Sequence, residues 1–319
     1  MPSEFDLIRR HFTRPTRHTE LAGGDDAALL RAQSGMQLAV STDMLVAGTH
    51  FLADTDPEDL GWKTLAVNVS DLAAMGATPR WAFLALALPC ADEAWIAAFA
   101  HGFFACAAAY GVDLAGGDTT RGPLTLAVTI IGEVPPGEAI SRGGGRAGDD
   151  LWVSGQPGMA ALGLAALRDE VLLSPAGEAA CIAALQRPQA RVTLGLALRG
   201  IATAMLDVSD GLLGDLGHLL ECSGTGAIID VGALPLAALR ATGASEALAR
   251  RCLLGGGDDY ELLFAAPAAR RADVVALSAR LGLALHRIGD LGAEPGGLWL
   301  RENDGRLVPG ARSGYDHFA

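Results

Sequence analysis

Lysine is almost missing from this chain. Lys63 is the only one, and Arg carries the rest of the basic charge. Lys and Arg number 24 against 37 Asp and Glu, a formal net charge of −13. No basic run occurs, which argues against a nucleic-acid face. Cysteine is scarce too. Cys90, Cys106, Cys181, Cys222 and Cys252 are far apart, odd in number and form no Cys-x-x-Cys pair. Neither a disulfide scaffold nor a zinc site is expected from them. Long apolar runs are absent as well. The most apolar stretch, 94–109, holds His101 and Gly102 and is too short to span a bilayer. The first residues, Met-Pro-Ser-Glu-Phe-Asp, lack the pattern of a signal peptide. The expectation is a cytoplasmic protein with no membrane partner. Several catalytic signatures are also missing. There is no Gly-x-x-x-x-Gly-Lys-Ser/Thr loop, no protein-kinase set, no Gly-x-Ser-x-Gly elbow and no His-Glu-x-x-His.

What is present is aspartate, gathered into short clusters bracketed by Gly or Ser. These are Gly24-Asp25-Asp26-Ala27, Ser41-Thr42-Asp43, Gly116-Gly117-Asp118-Thr119-Thr120, Asp207-Val208-Ser209-Asp210-Gly211 with Asp215 soon after, and Gly257-Asp258-Asp259-Tyr260. Asp71 is a further carboxylate in an apolar segment. Most clusters follow or interrupt apolar runs, which predicts that they lie where strands end. Gathered carboxylates repel one another unless a cation lies between them. Mg²⁺ is a hard ion that takes oxygen ligands and bridges to phosphates. The pattern points to phosphate chemistry run through metal ions, Gly-rich loops and a few Arg.

The chain has 319 residues and is half apolar, enough for two domains or one large one. Residues 4–12 show helical spacing, and 36–40 read as a strand running into Ser41-Thr42-Asp43. Asp56-Pro57-Glu58-Asp59 starts a helix, with an N-cap acid, Pro at the first helical position and acids in the first turn. It should run to about Met75, with Asn68 and Asp71 on one face. Strands are predicted over 81–88, 112–115 and 124–133, and a helix over 92–110. The Pro/Gly stretch between Val134 and Arg146 is the candidate boundary, giving domains 1–137 and 138–319. Beyond it, strands are predicted over 150–154, 204–208, 227–231, 262–265 and 285–288. Helices are predicted over 158–168, 190–202, 212–222 and 272–281. The mixture indicates an α/β (α+β) class.

Each cluster taken alone has a plainer reading. Gly-Asp-Asp is also the sequence of a turn or helix cap, Ser41-Thr42-Asp43 of an N-cap, and Gly116-Gly117-Asp118 of a hairpin. Asp71 fits a buried acid paired with Arg. His50 fits a satisfied structural histidine. Arg121 and Arg142 beside Gly-rich turns can fork onto phosphate or stand on the surface. Tyr110 can stack on a base or fill a core. The joint occurrence of the clusters is what favours a site.

Taken together, the segments resemble thiamine-monophosphate kinases, of the superfamily that includes aminoimidazole ribonucleotide synthetase, selenophosphate synthetase and a hydrogenase maturation protein. The resemblance rests on the five clusters, the loop Met44 to Phe51, the stretch Ala66 to Ala77, Gly256-Gly257-Asp258-Asp259-Tyr260-Glu261-Leu262 and Gly314-Tyr315-Asp316-His317-Phe318. The resemblance implies a two-domain fold like that of aminoimidazole ribonucleotide synthetase, with N-terminal strands pairing across a homodimer. It also implies transfer of the ATP γ-phosphoryl group to thiamine monophosphate, giving thiamine diphosphate. By motif, Asp26, Ser41, Thr42, Asp43, Asp71, Asp118, Asp207 and Asp210 would hold several Mg²⁺. Tyr110, Gly117, Asp118, Arg142 and Ser209 would contact ATP, and His50, Asp258 and Tyr315 the thiamine phosphate. Two departures stand out: Asp258 where the family carries Glu, and Ala22-Gly23-Gly24 where it carries Gly-Ile-Gly. The acceptor would be a phosphate monoester, whose second pKa is about 6. It needs no strong base, so direct in-line transfer without a covalent nucleophile is expected. A selenophosphate-type activator is a competing reading, but the first cysteine here is as late as Cys90. A non-catalytic acidic cation binder is another, and the clusters lack the twelve-residue calcium-loop form.

Overall fold

The computed structural model describes residues 3–311. The chain divides into two compact units, 1–73 with 77–137 and 74–76 with 138–319.

The first unit contains α1 (Glu4–Leu7), β1 (Thr19–Leu21), β2 (Leu29–Leu30), β3 (Gln37–Val46), α2 (Pro57–Ala74, whose last residue falls in the other unit), β4 (Thr78–Leu88), α3 (Glu93–Tyr110), β5 (Asp113–Arg121) and β6 (Thr125–Val134). The helical spacing of residues 4–12 resolves into α1 and a π-turn over Ile8–Phe12. A four-stranded sheet runs β3-β6-β4-β5, with β4 and β5 parallel and the other pairs antiparallel. Asp92 caps α3 by accepting from the N–H groups of Ala94 and Trp95. Gly111 ends the helix in the left-handed conformation. Helices α2 and α3 cross in close contact. A Cβ on Gly61 would lie 2.0 Å from the Phe99 carbonyl oxygen, and one on Gly102 would lie 1.7 Å from that of Glu58. The Gly102 that interrupts the most apolar stretch is therefore the crossing point.

The second unit contains β7 (Asp149–Ser154), α4 (Met159–Leu167), α5 (Pro175–Gln186), α6 (Val192–Ala197), β8 (Ala204–Asp207), α7 (Leu212–Ser223), β9 (Gly226–Asp230), α8 (Leu236–Ala241), α9 (Glu246–Gly255), β10 (Leu262–Pro267), α10 (Arg271–Leu281), β11 (Leu285–Gly292), β12 (Leu298–Arg301) and β13 (Leu307–Pro309). Its seven strands order as β13-β12-β9-β11-β7-β10-β8. The runs in β7, β8 and β10 are apolar on consecutive residues because both faces of the sheet are covered. Leu151, Val153, Leu206 and Leu263 enter one core with α4, α7 and α9. Trp152, Met205 and Phe264 enter another with α6 and α10.

The α/β class holds, and several local expectations change. Ser41-Thr42-Asp43 and Gly116-Gly117-Asp118 lie inside β3 and β5 rather than at strand ends. Asp207 does end its strand. The helix expected over 190–202 is confined to Val192–Ala197. Helix α5 was not anticipated, although Ser174 as cap and Pro175 after it announce it. Cys106, Cys181 and Cys252 are buried. Among the described residues no helix is long and apolar enough to cross a membrane.

Candidate active site

In the first unit the site begins where α2 lies against β3. Side chains alternate along a strand, so Ser41 and Asp43 share one face and Thr42 takes the other. The Ser41 hydroxyl donates to Asp71 Oδ2 on α2. The Asp43 N–H donates to Asn68 Oδ1 at 3.1 Å, and the Asn68 amide donates to the Thr64 carbonyl at 3.0 Å. The partner of Asp71 shown here is thus a serine hydroxyl. Thr42 instead meets Thr129 of β6, with hydroxyls 2.8 Å apart. Asp118 stands in register with Ala85, which is in register with Ala127 and then Met44. That is the row of Thr42's face. The structure therefore brings Ser41, Asp43 and Asp71 together and sets Thr42 and Asp118 on the opposite side of the sheet. Among the described residues no three His, Cys, Asp or Glu side chains form a metal cage.

Asp25 and Asp26 lie exposed on a strap between β1 and β2. Two buried acids pin this strap. Asp113 accepts from the N–H groups of Arg17, His18 and Thr19 at 2.5–3.0 Å and from the Thr19 hydroxyl at 3.0 Å. Glu133 accepts from the Gln33 N–H at 2.6 Å and from Arg80 Nε at 2.8 Å. Between these anchors Gly23 passes beside Gly116, since a Cβ there would lie 4.0 Å from the Gly116 Cα. Next along β5 comes Gly117, with φ +152°, where a Cβ would lie 1.9 Å from the Leu84 carbonyl oxygen. Only glycine fits there. His50 accepts the Val46 N–H on Nδ1 at 3.1 Å. The proton of the neutral ring is therefore on Nε2. Tyr110, the last residue of α3, has its ring tilted against Trp62 with centroids 6.3 Å apart.

In the second unit two clusters lie side by side. The Asp258 N–H donates to the Ser209 carbonyl, and the Tyr260 N–H to that of Val208, both at 2.8 Å. The Val208 N–H donates back to the Glu261 carbonyl, also at 2.8 Å. The loop after β8 is thereby paired with the loop before β10. Beneath the first loop, Asp215 Oδ2 accepts the N–H groups of Ser209, Asp210 and Gly211 at 3.0, 3.0 and 3.1 Å. Burial, together with the charge of Asp210, pushes the Asp215 carboxyl up to about 6, against the pull of those N–H donors. Beneath the second loop, Asp259 accepts from the Gly158 and Ala160 N–H groups at the start of α4. It fills donors that a helix start leaves open. Burial holds its carboxyl well above the usual range. Glu261 takes a forked pair of hydrogen bonds from Arg191 and one from the Ser154 hydroxyl. Arg142 lies exposed in a loop attached to β8 through the Met205 N–H and the Ser141 carbonyl. Tyr315 lies outside the described residues.

Sequence reasoning missed the supports of the site: Asn68 as a contact to β3, Asp113, Glu133, Asp215, Asp259 and Arg191–Glu261. Asp215 and Asp259 stood in the clusters, Glu261 in the resemblance stretch and Asn68 beside Asp71, but nothing in the sequence marked them as supports; Asp113, Glu133 and Arg191 carried no signal.

Residues 24–134 match the AIR synthase related protein N-terminal domain, and residues 146–300 the corresponding C-terminal domain. The matches define the chain as a two-domain AIR synthase related protein. Within that class it is similar to the thiamine-monophosphate kinase of Salmonella typhimurium, at 46% identity over 99% of this chain and 98% of the relative. The thiamine-monophosphate kinase of Stenotrophomonas maltophilia K279a superposes with a TM-score of 0.84 at 46% identity, covering 95% of each chain. AaThiL complexed with AMPPCP and TMP superposes with a TM-score of 0.79 at 31% identity, covering 98% of this chain and 96% of that one. The chain belongs to the thiamine-monophosphate kinase family.

The strap anchor has a pH signature. Burial raises the Asp113 carboxyl, but the N–H groups of Arg17 and His18 and the Thr19 hydroxyl outweigh it and hold the group below its usual value. A carboxyl depressed on folding stabilises above its unfolded pKa of about 4 and loses that contribution as pH falls through the folded value. Hydrogen-exchange protection at Arg17, His18 and Thr19 is expected to persist near neutral pH and to fall in acid below about pH 4. In Asp113→Asn the protection is lost already near neutral pH. Wild-type protection in that variant would show that Asp113 does not hold the strap.

Proposed function

We propose that this protein transfers the γ-phosphoryl group of ATP to thiamine monophosphate, forming thiamine diphosphate and ADP. The observation that carries the reading is similarity over both units to thiamine-monophosphate kinases, one solved with AMPPCP and TMP. The site chemistry supports it. Asp43 and Asp71 offer hard oxygen donors in the first unit, and Asp207 and Asp210 in the second. Mg²⁺ is ordinarily held by one or two carboxylates plus phosphate oxygens and water, not by an all-protein cage. We assign Asp26, Ser41, Thr42, Asp43, Asp71, Asp118, Asp207 and Asp210 to Mg²⁺. The ion, when bound, neutralises phosphate charge that would otherwise keep the two anions apart.

The chain's own groups do the rest. Gly117 lets the backbone approach a phosphate closely, and Arg142 supplies a guanidinium. Both backbone groups of Ser209 are engaged, its N–H with Asp215 and its carbonyl with the Asp258 N–H. Its contact with ATP therefore runs through the hydroxyl. Tyr110, backed by Trp62, is placed against the base, and Asp118 also lies on the ATP side. His50 donates Nε2–H to the thiamine phosphate, with Asp258 and Tyr315 completing the acceptor site. The residues 1–137 form the ATP, Mg²⁺ and dimerisation domain, and 138–319 the second α/β domain. Transfer is direct and in line, with no covalent nucleophile. The protein works in the cytoplasm, away from membranes and nucleic acid.

We also propose a homodimer through β3. It is a ten-residue edge strand, and Leu38, Val40 and Met44 on one face are 54, 60 and 57% exposed. An exposed apolar edge strand of this length is a template for pairing.

Purified protein with ATP, Mg²⁺ and thiamine monophosphate should yield thiamine diphosphate and ADP in equal amounts by chromatography. Asp43→Asn should lower kcat on the order of a hundredfold or more. ATP turnover without thiamine diphosphate would discard the acceptor. In sedimentation the wild type should run as a dimer and Val40→Asp as a monomer; a monomeric wild type would remove the β3 interface.

A further inference from the structure

Three non-glycine residues have positive φ among the described residues, and two of them flank Asp259. Asp258 has φ +68° and Tyr260 φ +52°. Asp tolerates the left-handed region, but a bulky aromatic rarely enters it. Such a conformation is strained, so the surroundings must over-determine it. They do. The Tyr260 N–H is fixed to the Val208 carbonyl and the Asp258 N–H to the Ser209 carbonyl, each at 2.8 Å. Asp259 is buried against the start of α4, and Glu261 is gripped by Arg191. The turn brings the buried Tyr260 side chain back onto its second neighbour. Tyr260 Oη donates to Asp258 Oδ1 at 3.0 Å.

We propose that Tyr260 is a positioning residue for the acceptor site. Its hydroxyl sets the direction of the Asp258 carboxylate toward the thiamine moiety. This rests on the reading of Asp258 as a contact to thiamine monophosphate. Thiamine carries a cationic ring and an exocyclic amino group, and a carboxylate of fixed direction suits either. The resemblance expects the longer Glu at position 258. A shorter carboxylate explores less space, and here the left-handed backbone and the tyrosine hydroxyl fix its orientation. The pairing also ties the acceptor contact to the nucleotide loop. The backbone that presents Asp258 is bonded to Ser209, and Ser209 in turn is held by Asp215.

Tyr260→Phe removes one hydroxyl and keeps the buried ring. The KM for thiamine monophosphate should rise about tenfold, the scale of one hydrogen bond to a charged group. The KM for ATP should stay within about twofold. In an Asp258→Ala background the same change should add nothing, because Tyr260 acts through that carboxylate. An unchanged KM for thiamine monophosphate overturns the inference while the kinase reading stands. Equal rises in both KM values, or a full further effect without Asp258, overturn it as well, because they assign Tyr260 a general structural role. A wild type that forms no thiamine diphosphate overturns the kinase reading and this inference with it.

Discussion

A buried carboxylate must have its oxygen lone pairs filled by donors, and that constraint organises this protein. Removing such a charge from water without partners costs several kcal/mol. The chain meets the demand with backbone N–H groups. Asp113 collects those of 17–19, Glu133 that of Gln33, Asp215 those of 209–211, and Asp259 those at the start of α4. Each acid thereby ties down the backbone it accepts from. The strap held by Asp113 and Glu133 carries Asp26, the loop held by Asp215 carries Asp210 just after Asp207, and Asp258 adjoins Asp259. One set of carboxylates builds the platform, and the other is presented on it.

The same logic explains why the aspartates cluster. A loop that must hold acids apart from water-filled disorder needs an acid beneath it as well as acids upon it. Asp258-Asp259 shows the division within one dipeptide: Asp259 turns inward to a helix start, and Asp258 is directed by Tyr260. In the first unit, Asn68 of α2 takes the supporting part, and Asp71 of the same helix is presented beside β3. Asn68 and Asp71, three residues apart on one face, reach the Asp43 N–H and the Ser41 hydroxyl. The glycines at the α2–α3 crossing let α3 pack closely on α2.

Much of this was legible in the sequence. The Asp-Pro-Glu-Asp start of α2 follows from capping, and the helix over 92–110 and the strand over 204–208 follow from composition and periodicity; the structure shows all three, with Asp92 as the cap of α3 and the strand ending at Asp207. The Pro/Gly stretch after Val134 adjoins the change of unit at Gly137. The class and the family were readable from motifs spread along the whole chain. Three things were not readable. Ser41-Thr42-Asp43 sits mid-strand because the apolar alternation continues through Met44 and Val46, which a short window ends too early. Which acid of a pair turns inward depends on distant backbone, as Gly158 does for Asp259. The separation of Thr42 and Asp118 from Asp43 and Asp71 follows from sheet register, and linear motif order carries no trace of it.

The central claim is that the presented carboxylates, and not the supporting ones, hold the metal of the reaction. Anomalous scattering from crystals grown with Mn²⁺ and a non-hydrolysable ATP analogue tests it directly. Peaks are predicted within coordination distance of Asp43 or Asp71, and of Asp207 or Asp210, with none at Asp113, Asp215 or Asp259. Metal bound to Asp215 or Asp259, or absent from Asp43, Asp71, Asp207 and Asp210 alike, would contradict the account.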